Sequence, residues 1–385
     1  MIVINQTVNP AFDGWLVELA AAAGPIELWC GNAPAEPLPG VTVRRAPAYD
    51  RTSSRTRLVT WLAFTMTVLL RLLWDRGRAP LFIVTNPPMV LLAAWFICRL
   101  QRRRYGLLEW DIYPDILAPM GLARPSSLVY RLWHWLHAHA LRHASLVVTL
   151  GEQMAQRLRA IAAPAGLTVD VVPNWVDTDW LQPQPAQENP FVQSHDLSDK
   201  LVVLHAGNIG ATHPIEALVA TAWLLVDDPG VRLLVIGDGA KRPLIEQAIQ
   251  AGCRSLQLLP PQPEELLPFS LAGAHVGVVG LADGYEGLSL PSRTMALMAS
   301  GVAILGISRL PNDLEELILC YGCGANFAPD APAAIAEWIR TLAADRPRLE
   351  ALRQAARQAA VSHYSVAVCA NRLTELVRGS LIRPG

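Results

Sequence analysis

The 385-residue chain is 52% apolar and 17% charged, with a net charge of -1. That length suits two domains of ordinary size, and near-neutrality excludes nucleic-acid binding driven by overall charge. Six dispersed cysteines exclude a disulfide-built scaffold.

From the N-terminus, strand-like runs alternate with helix-like ones. Strands are expected at 2–5, 26–30, 81–85, 105–109, 146–150 and 169–172, and helices at 12–23, 89–102 and 126–143. The start of the chain lacks the basic flank of a secretory signal, and a cytoplasmic location is expected. Two apolar runs, 58–70 and 89–98, are shorter than the roughly 20 residues of a bilayer span. Arginines border both: Arg51, Arg55, Arg57, Arg71, Arg76 and Arg78 around the first, and Arg99, Arg102, Arg103 and Arg104 after the second. Such helices either lie at an anionic membrane surface or form buried core with a solvated basic end.

Residues 183–200 are rich in Pro, Gln and Asn and read as a linker. A second series follows, with strands at 201–205, 231–236, 256–259, 276–280 and 302–307 and helices at 331–343 and 366–378. Repeated β-α alternation means parallel sheets with crossover helices. The division expected is an N-terminal α/β domain (1–182), the linker (183–200), a C-terminal α/β domain (201–365), and a C-terminal segment (366–385) packing back on the first domain.

Two glycine loops and a proline-started segment stand out in the second half. Gly207-Asn208-Ile209-Gly210 and Gly237-Asp238-Gly239 each end a strand and precede a helix, where backbone N–H groups can face an anion. Pro291-Ser292-Arg293 opens a further helix. Either loop alone could be an ordinary βα turn. Asp111 and Asp115 flank a Tyr-Pro turn after a strand, where a carboxylate can activate a hydroxyl or simply cap a turn.

Taken in order, Trp110–Asp115, Thr149–Glu152, Pro173–Asp177, the two glycine loops and Pro291–Arg293 resemble family 4 glycosyltransferases of the GT-B fold. More narrowly, they are similar to the branch that builds bacterial capsule, colanic-acid-like and O-antigen polysaccharides. The resemblance implies an α/β fold of two Rossmann-like domains facing across a cleft. It implies a retaining glycosyltransferase that moves a sugar from a nucleotide diphosphate sugar, UDP-linked, to a lipid-linked saccharide at the inner face of the membrane. No cofactor and no metal are implied.

The donor would be bound by Gly207, Asn208, Gly210, Gly237, Asp238, Gly239, Arg242, Pro291, Ser292 and Arg293. The catalytic candidates are Asp111, Asp115 and Glu286, with Asp283 second to Glu286. Relatives outside this branch carry an Arg and a Lys near the first loop, where this chain has Asn208 and His213, so Arg293 is expected to supply the missing charge. The second glutamate of the wider family is also absent, Thr294 standing eight positions after Glu286. Two alternatives remain: a non-catalytic sugar-nucleotide-binding or scaffold subunit, and a nucleotide-sugar epimerase.

Overall fold

The structure is a computed structural model. It describes residues 1–382 except 51, 76, 165, 211 and 212, and all described side chains but that of Ser54. Arg51 and Arg76, two of the arginines bordering the first apolar run, thus lie outside the described residues. The chain divides into two compact units: Met1–Pro173 with Leu288–Leu290 and Val366–Gly385, and Asn174–Gly287 with Pro291–Ser365.

The first unit runs β1 (Ile2–Ile4), α1 (Pro10–Ala23), β2 (Ile26–Cys30), β3 (Val41–Arg45), α2 (Ser54–Trp74), β4 (Leu81–Val84), α3 (Met89–Gln101), β5 (Tyr105–Glu109), α4 (Leu128–His143), β6 (Leu146–Thr149), α5 (Glu152–Ala162) and β7 (Asp170–Val171). Its seven strands are parallel in the order β3-β2-β1-β4-β5-β6-β7. The central strands are buried on both faces, as a sheet covered by crossover helices must be. Asn9 caps α1 by accepting the Phe12 amide. The helix drives Trp15 between Phe12 and Phe82, at ring distances of 5.0 and 5.3 Å.

The second unit contains α6 (Pro190–Ser194), β8 (Leu201–Ala206), α7 (Ile215–Leu224), β9 (Val231–Ile236), α8 (Arg242–Gln250), β10 (Leu256–Leu259), α9 (Leu267–Ala272), β11 (Val276–Gly280), α10 (Arg293–Ala299), β12 (Ala303–Ile307), α11 (Asp313–Tyr321), β13 (Gly324–Phe327), α12 (Pro332–Ala344) and α13 (Arg346–His363). Its parallel sheet has the order β10-β9-β8-β11-β12-β13. In both sheets the order reverses beside the first strand of the unit. Ligands of open α/β sheets bind at such a point, beyond the carboxyl ends of the strands. A last helix, α14 (Val366–Val377), belongs to the first unit and packs on α1.

Several expectations need correction. The units part at Pro173 rather than at 182, because Val176 bonds to Tyr364 and Arg357 donates to the Thr178 and Leu181 carbonyls, tying that segment to the second unit. The expected linker contains α6, whose Asn189 caps it and donates to the Phe269 carbonyl. Strands β3 and β13 and helices α11 and α13 are additional elements. The largest difference is α2. It runs through Arg71, and its stretch Arg55–Trp74 is long and apolar enough to cross a membrane by length and composition. Arg71 does not end it, because its guanidinium turns inward, donating to the Arg45 carbonyl and lying over the Trp29 ring.

Leu373 of α14 is fully buried. Leu373→Ala is expected to cost about 2–5 kcal/mol through the cavity it leaves, read as a lower urea midpoint. An unchanged midpoint would mean that α14 does not help to hold the first unit together.

Candidate functional site

The two glycine loops of the second unit are built against each other. After β8, Gly207 (φ +123°) donates its amide to Ile236; after β9, Gly237 (φ +154°) donates to Leu259. A Cβ on Gly237 would lie 1.9 Å from the Gly207 carbonyl oxygen, so glycine is required by backbone contact. Ile209 donates to Asp238, and Gly239 donates to the Asp238 carboxylate, 2.8 Å. The expectation of a row of amides facing an anion therefore needs correction: the Gly207 and Gly237 amides continue the sheet ladder to Ile236 and Leu259, the Ile209 amide fastens the first loop to the second, and the Gly239 amide is taken by its neighbour Asp238.

What faces the first loop instead is a cation. Arg293, the first residue of α10, sends its guanidinium past Gly207, where a Cβ would come within 3.1 Å of Nη2. Its Nη2 lies 2.8 Å from Nε2 of His213 and its Nη1 lies 3.3 Å from Nε2 of His205. A guanidinium can only donate, so each imidazole nitrogen must accept and both rings must be neutral. Burial, then the nearby Arg293 charge, lowers His205 to about 3 and His213 to about 4; the second neighbour is His213 for the first ring and Lys241 for the second. Burial brings Arg293 itself down to about 10, still protonated at neutral pH. Among the described residues no carboxylate pairs with it. A half-buried cation on neutral acceptors is a receptor for an anion.

The sequence reading missed a second cation. Lys241, at the cap of α8, donates at 2.8 Å both to the His213 carbonyl and to Glu216. Its signal was available: one of only two lysines, two residues after Gly239. Arg242, expected at the donor, instead donates to Glu246 at 2.7 Å and to the Gly237 carbonyl at 3.3 Å, bracing its own turn. Asp238 is exposed apart from its bond to Gly239. Ser292 makes no side-chain cap, and Pro291 accepts from the Thr294 hydroxyl. The amide of Asn208 is folded under Gly210, within 2.6 Å of where a Cβ would stand there. Glu286 is half-buried and accepts the Gly284 amide, 2.8 Å, whereas Asp283 is taken up by Arg309 at 3.0 Å.

In the first unit the two aspartates of the Trp-Asp-Ile-Tyr-Pro-Asp run separate. Asp115 is buried, accepting from the Tyr130 hydroxyl at 2.6 Å and from Arg157 at 3.4 Å. Its expected catalytic place is therefore corrected to a brace between α4 and α5. Asp111 sits just past the end of β5, paired by a backbone bridge with Ser289, whose side chain also bonds its carboxylate. Burial first, and the Glu109 charge after it, raise its pKa against the opposing Ser289 bond. A carboxyl with a raised pKa at a strand end is a candidate for proton transfer. Behind it, Glu109 and His137 lie 2.9 Å apart, both buried.

Among the described residues no group of three or more His, Cys, Asp and Glu could hold a metal ion. The helical histidines are engaged with backbone: Nδ1 of His139 lies 2.9 Å from the Trp135 carbonyl and that of His143 2.8 Å from His139. Asp177 accepts the amides of Asp179 and Trp180. Cys320 and Cys323 are free thiols.

Residues 8–175 match the family described as the glycosyl transferase 4-like domain. The chain is similar to the probable glycosyltransferase WbjE of Pseudomonas aeruginosa, with 28% identity over 292 residues, 75% of this chain and 72% of that one. The chain is a glycosyltransferase. It is also similar to WcaI of Escherichia coli (strain K12), named as a candidate colanic acid biosynthesis glycosyl transferase, at 26% identity over 78% of this chain and 75% of that one. Among solved structures, a sucrose-phosphate synthase from Thermosynechococcus elongatus superposes with a TM-score of 0.74 at 17% identity, covering 98% of each chain. HepE from Anabaena, solved in complex with UDP and glucose, gives 0.71 at 15%, covering 98% of this chain and 99% of that one. The fold is GT-B: two Rossmann-like α/β halves with parallel sheets.

The depressed histidines give a pH prediction. A ring neutral when folded takes up a proton on unfolding below its ordinary pKa near 6.5. Stability is therefore complete above about 6.5 and falls as pH drops toward the folded values of about 4 and 3. His213→Asn should make that acid-side loss shallower by up to one proton in urea melts between pH 6.5 and 4. An identical slope would mean that His213 is not held neutral.

Proposed function

We propose that the glycosyltransferase takes a sugar from a UDP-sugar and adds it, with retention, to a lipid-linked saccharide at the cytoplasmic membrane surface. The observation that carries the donor reading is the Arg293 guanidinium, cradled at Gly207 by His205 and His213 with no carboxylate partner among the described residues. The UDP bound to HepE supports the choice of nucleotide. As the bond from sugar to diphosphate breaks, charge grows on the leaving group, and a fixed guanidinium stabilises it without reorganising. Lys241 adds positive potential beside the same loop. Glu286 is the acidic group for the donor sugar, and Asp111 accepts the proton of the attacking hydroxyl.

Membrane association rests on the first unit. Of the described side chains of α2, only Phe64, Val68 and Leu72 are buried, while Leu58, Val59, Leu62, Met66, Leu70, Leu73 and Trp74 are exposed. The helix packs on α3, which exposes Phe96 and Leu100 and packs on α4, which exposes Leu128, Val129, Leu132 and Trp135. Contiguous apolar surface bordered by Arg55, Arg99 and Arg102 fits the interface of an anionic bilayer.

UDP should raise the melting temperature of the wild type, and Arg293→Ala should abolish that shift and lower turnover by about 10²–10³-fold. A variant that keeps both would sink the phosphate role. UDP binding without UDP release from UDP-sugars, in the presence of membrane extract, would favour an inert binding subunit. Leu62→Glu with Met66→Glu should cut co-sedimentation with anionic vesicles; equal sedimentation would count against the membrane face.

A further inference from the structure

Four aromatic side chains of the first unit form a continuous ladder. Tyr49, from the segment after β3, stacks on Trp61 of α2 with ring centroids 6.3 Å apart and planes 11° from parallel. Trp61 meets the ring of Tyr113 edge-on at 6.1 Å, and Tyr113 stacks on Trp133 of α4 at 6.1 Å and 13°. All four are half-buried. The ladder is held from below by Gln6, whose side-chain amide donates at 3.2 Å to both the Pro47 and the Thr60 carbonyls, joining the Tyr49 segment to α2.

Three further observations converge on it. The Arg57 guanidinium lies over the Trp61 ring, 5.5 Å from its centroid, and among the described residues no carboxylate pairs with Arg57. Among the described residues the Trp61 indole nitrogen and the Gln6 side-chain oxygen are buried without hydrogen-bond partners, polar groups that a ligand could satisfy. Tyr113 is two residues from Asp111; burial first, and then the Asp111 charge, raise the pKa of its phenol. The helices that supply Trp61 and Trp133 are also those whose outer faces are apolar and exposed.

We propose that Tyr49, Trp61, Tyr113 and Trp133, with Arg57 at their edge, form the acceptor subsite, receiving an amphiphile in which a phosphate joins an apolar chain to the saccharide. Arg57 pairs with the phosphate, and the rings cover the apolar chain where it leaves the phosphate. A guanidinium over an aromatic face binds an anion while the ring stays available to apolar contact. Continuity with the exposed faces of α2 and α4 lets the rest of the chain remain in a bilayer, and the saccharide is then carried toward Asp111. The inference rests on the acceptor reading above and assigns residues to it.

The test compares dodecyl phosphate below its micelle concentration with dodecyl maltoside and with inorganic phosphate, by calorimetric titration of the full chain. The wild type should bind dodecyl phosphate at least tenfold more tightly than either. Arg57→Gln should remove that preference, and Trp61→Ala should weaken both amphiphiles at least fivefold. Trp61→Phe should restore most of the loss, which guards against a folding artefact. Arg99→Gln with Arg102→Gln should weaken vesicle binding but leave the dodecyl phosphate preference intact, separating the subsite from the membrane face. Equal affinity for the two amphiphiles, a preference retained in Arg57→Gln, or inorganic phosphate binding as tightly as dodecyl phosphate would each overturn the proposal. So would dodecyl phosphate acting only by changing the association of two copies, read by light scattering. Failure of UDP to bind the wild type would instead strike the donor reading and leave these titrations unaffected.

Discussion

A positive charge with no negative partner among the described residues organises the second unit. Arg293 could have been neutralised by an acidic side chain. Instead its two donors meet imidazole nitrogens, which satisfy hydrogen bonding without cancelling charge. Neutral acceptors keep the guanidinium in one orientation while leaving its field open to an anion. The arrangement holds only because Gly207 has no side chain and because Gly237 lets the second loop lie directly against the first. The glycines therefore serve the site by what they leave out, while the Gly207 and Gly237 amides extend the sheet ladder.

The first unit shows the same economy with carboxylates. Asp111 and Asp115 stand four positions apart, on either side of a Tyr-Pro turn, and chemistry alone would treat them alike. Packing separates them. Asp115 falls beneath α4 and α5, where Tyr130 and Arg157 engage both its oxygens. Asp111 stays at the strand end beside Ser289, with buried Glu109 behind it making ionisation harder. Asp115 is thereby tied to its neighbours, whereas Asp111 is held mainly by Ser289.

The outer helices of this unit are under a different constraint. A helix that merely closes a crossover would bury one stripe and show water a polar face. Helix α2 buries a stripe of Phe64, Val68 and Leu72 and shows water more apolar residues than it buries. Arg71, which in sequence looks like the end of an apolar run, folds inward onto Trp29 and leaves the helix unbroken. The aromatic ladder from Trp61 of this helix to Tyr113 leads toward the end of β5.

Much of this molecule was legible in its residues. Continuous apolar runs separated by glycine, proline and asparagine predicted most of the parallel strands of both sheets, since burial on two faces leaves little freedom in composition. The ordered motifs marked the carboxyl ends of those strands, and Arg293 was singled out because a cation was missing elsewhere. Other features depended on contacts between residues far apart in the chain. Nothing local says that His205 and His213 accept from Arg293, 88 and 80 positions away, that Lys241 turns back to the first loop, or that Arg242 braces its own helix. Nothing local distinguishes Asp111 from Asp115. Strand β3 was hidden because an edge strand, with exposed Thr42, Arg44 and Arg45, carries no buried signature. Local sequence determines which segments can be strand or helix, because that choice depends on near neighbours and on burial. Which charged and aromatic groups meet is decided by the sheet order that brings distant strand ends together.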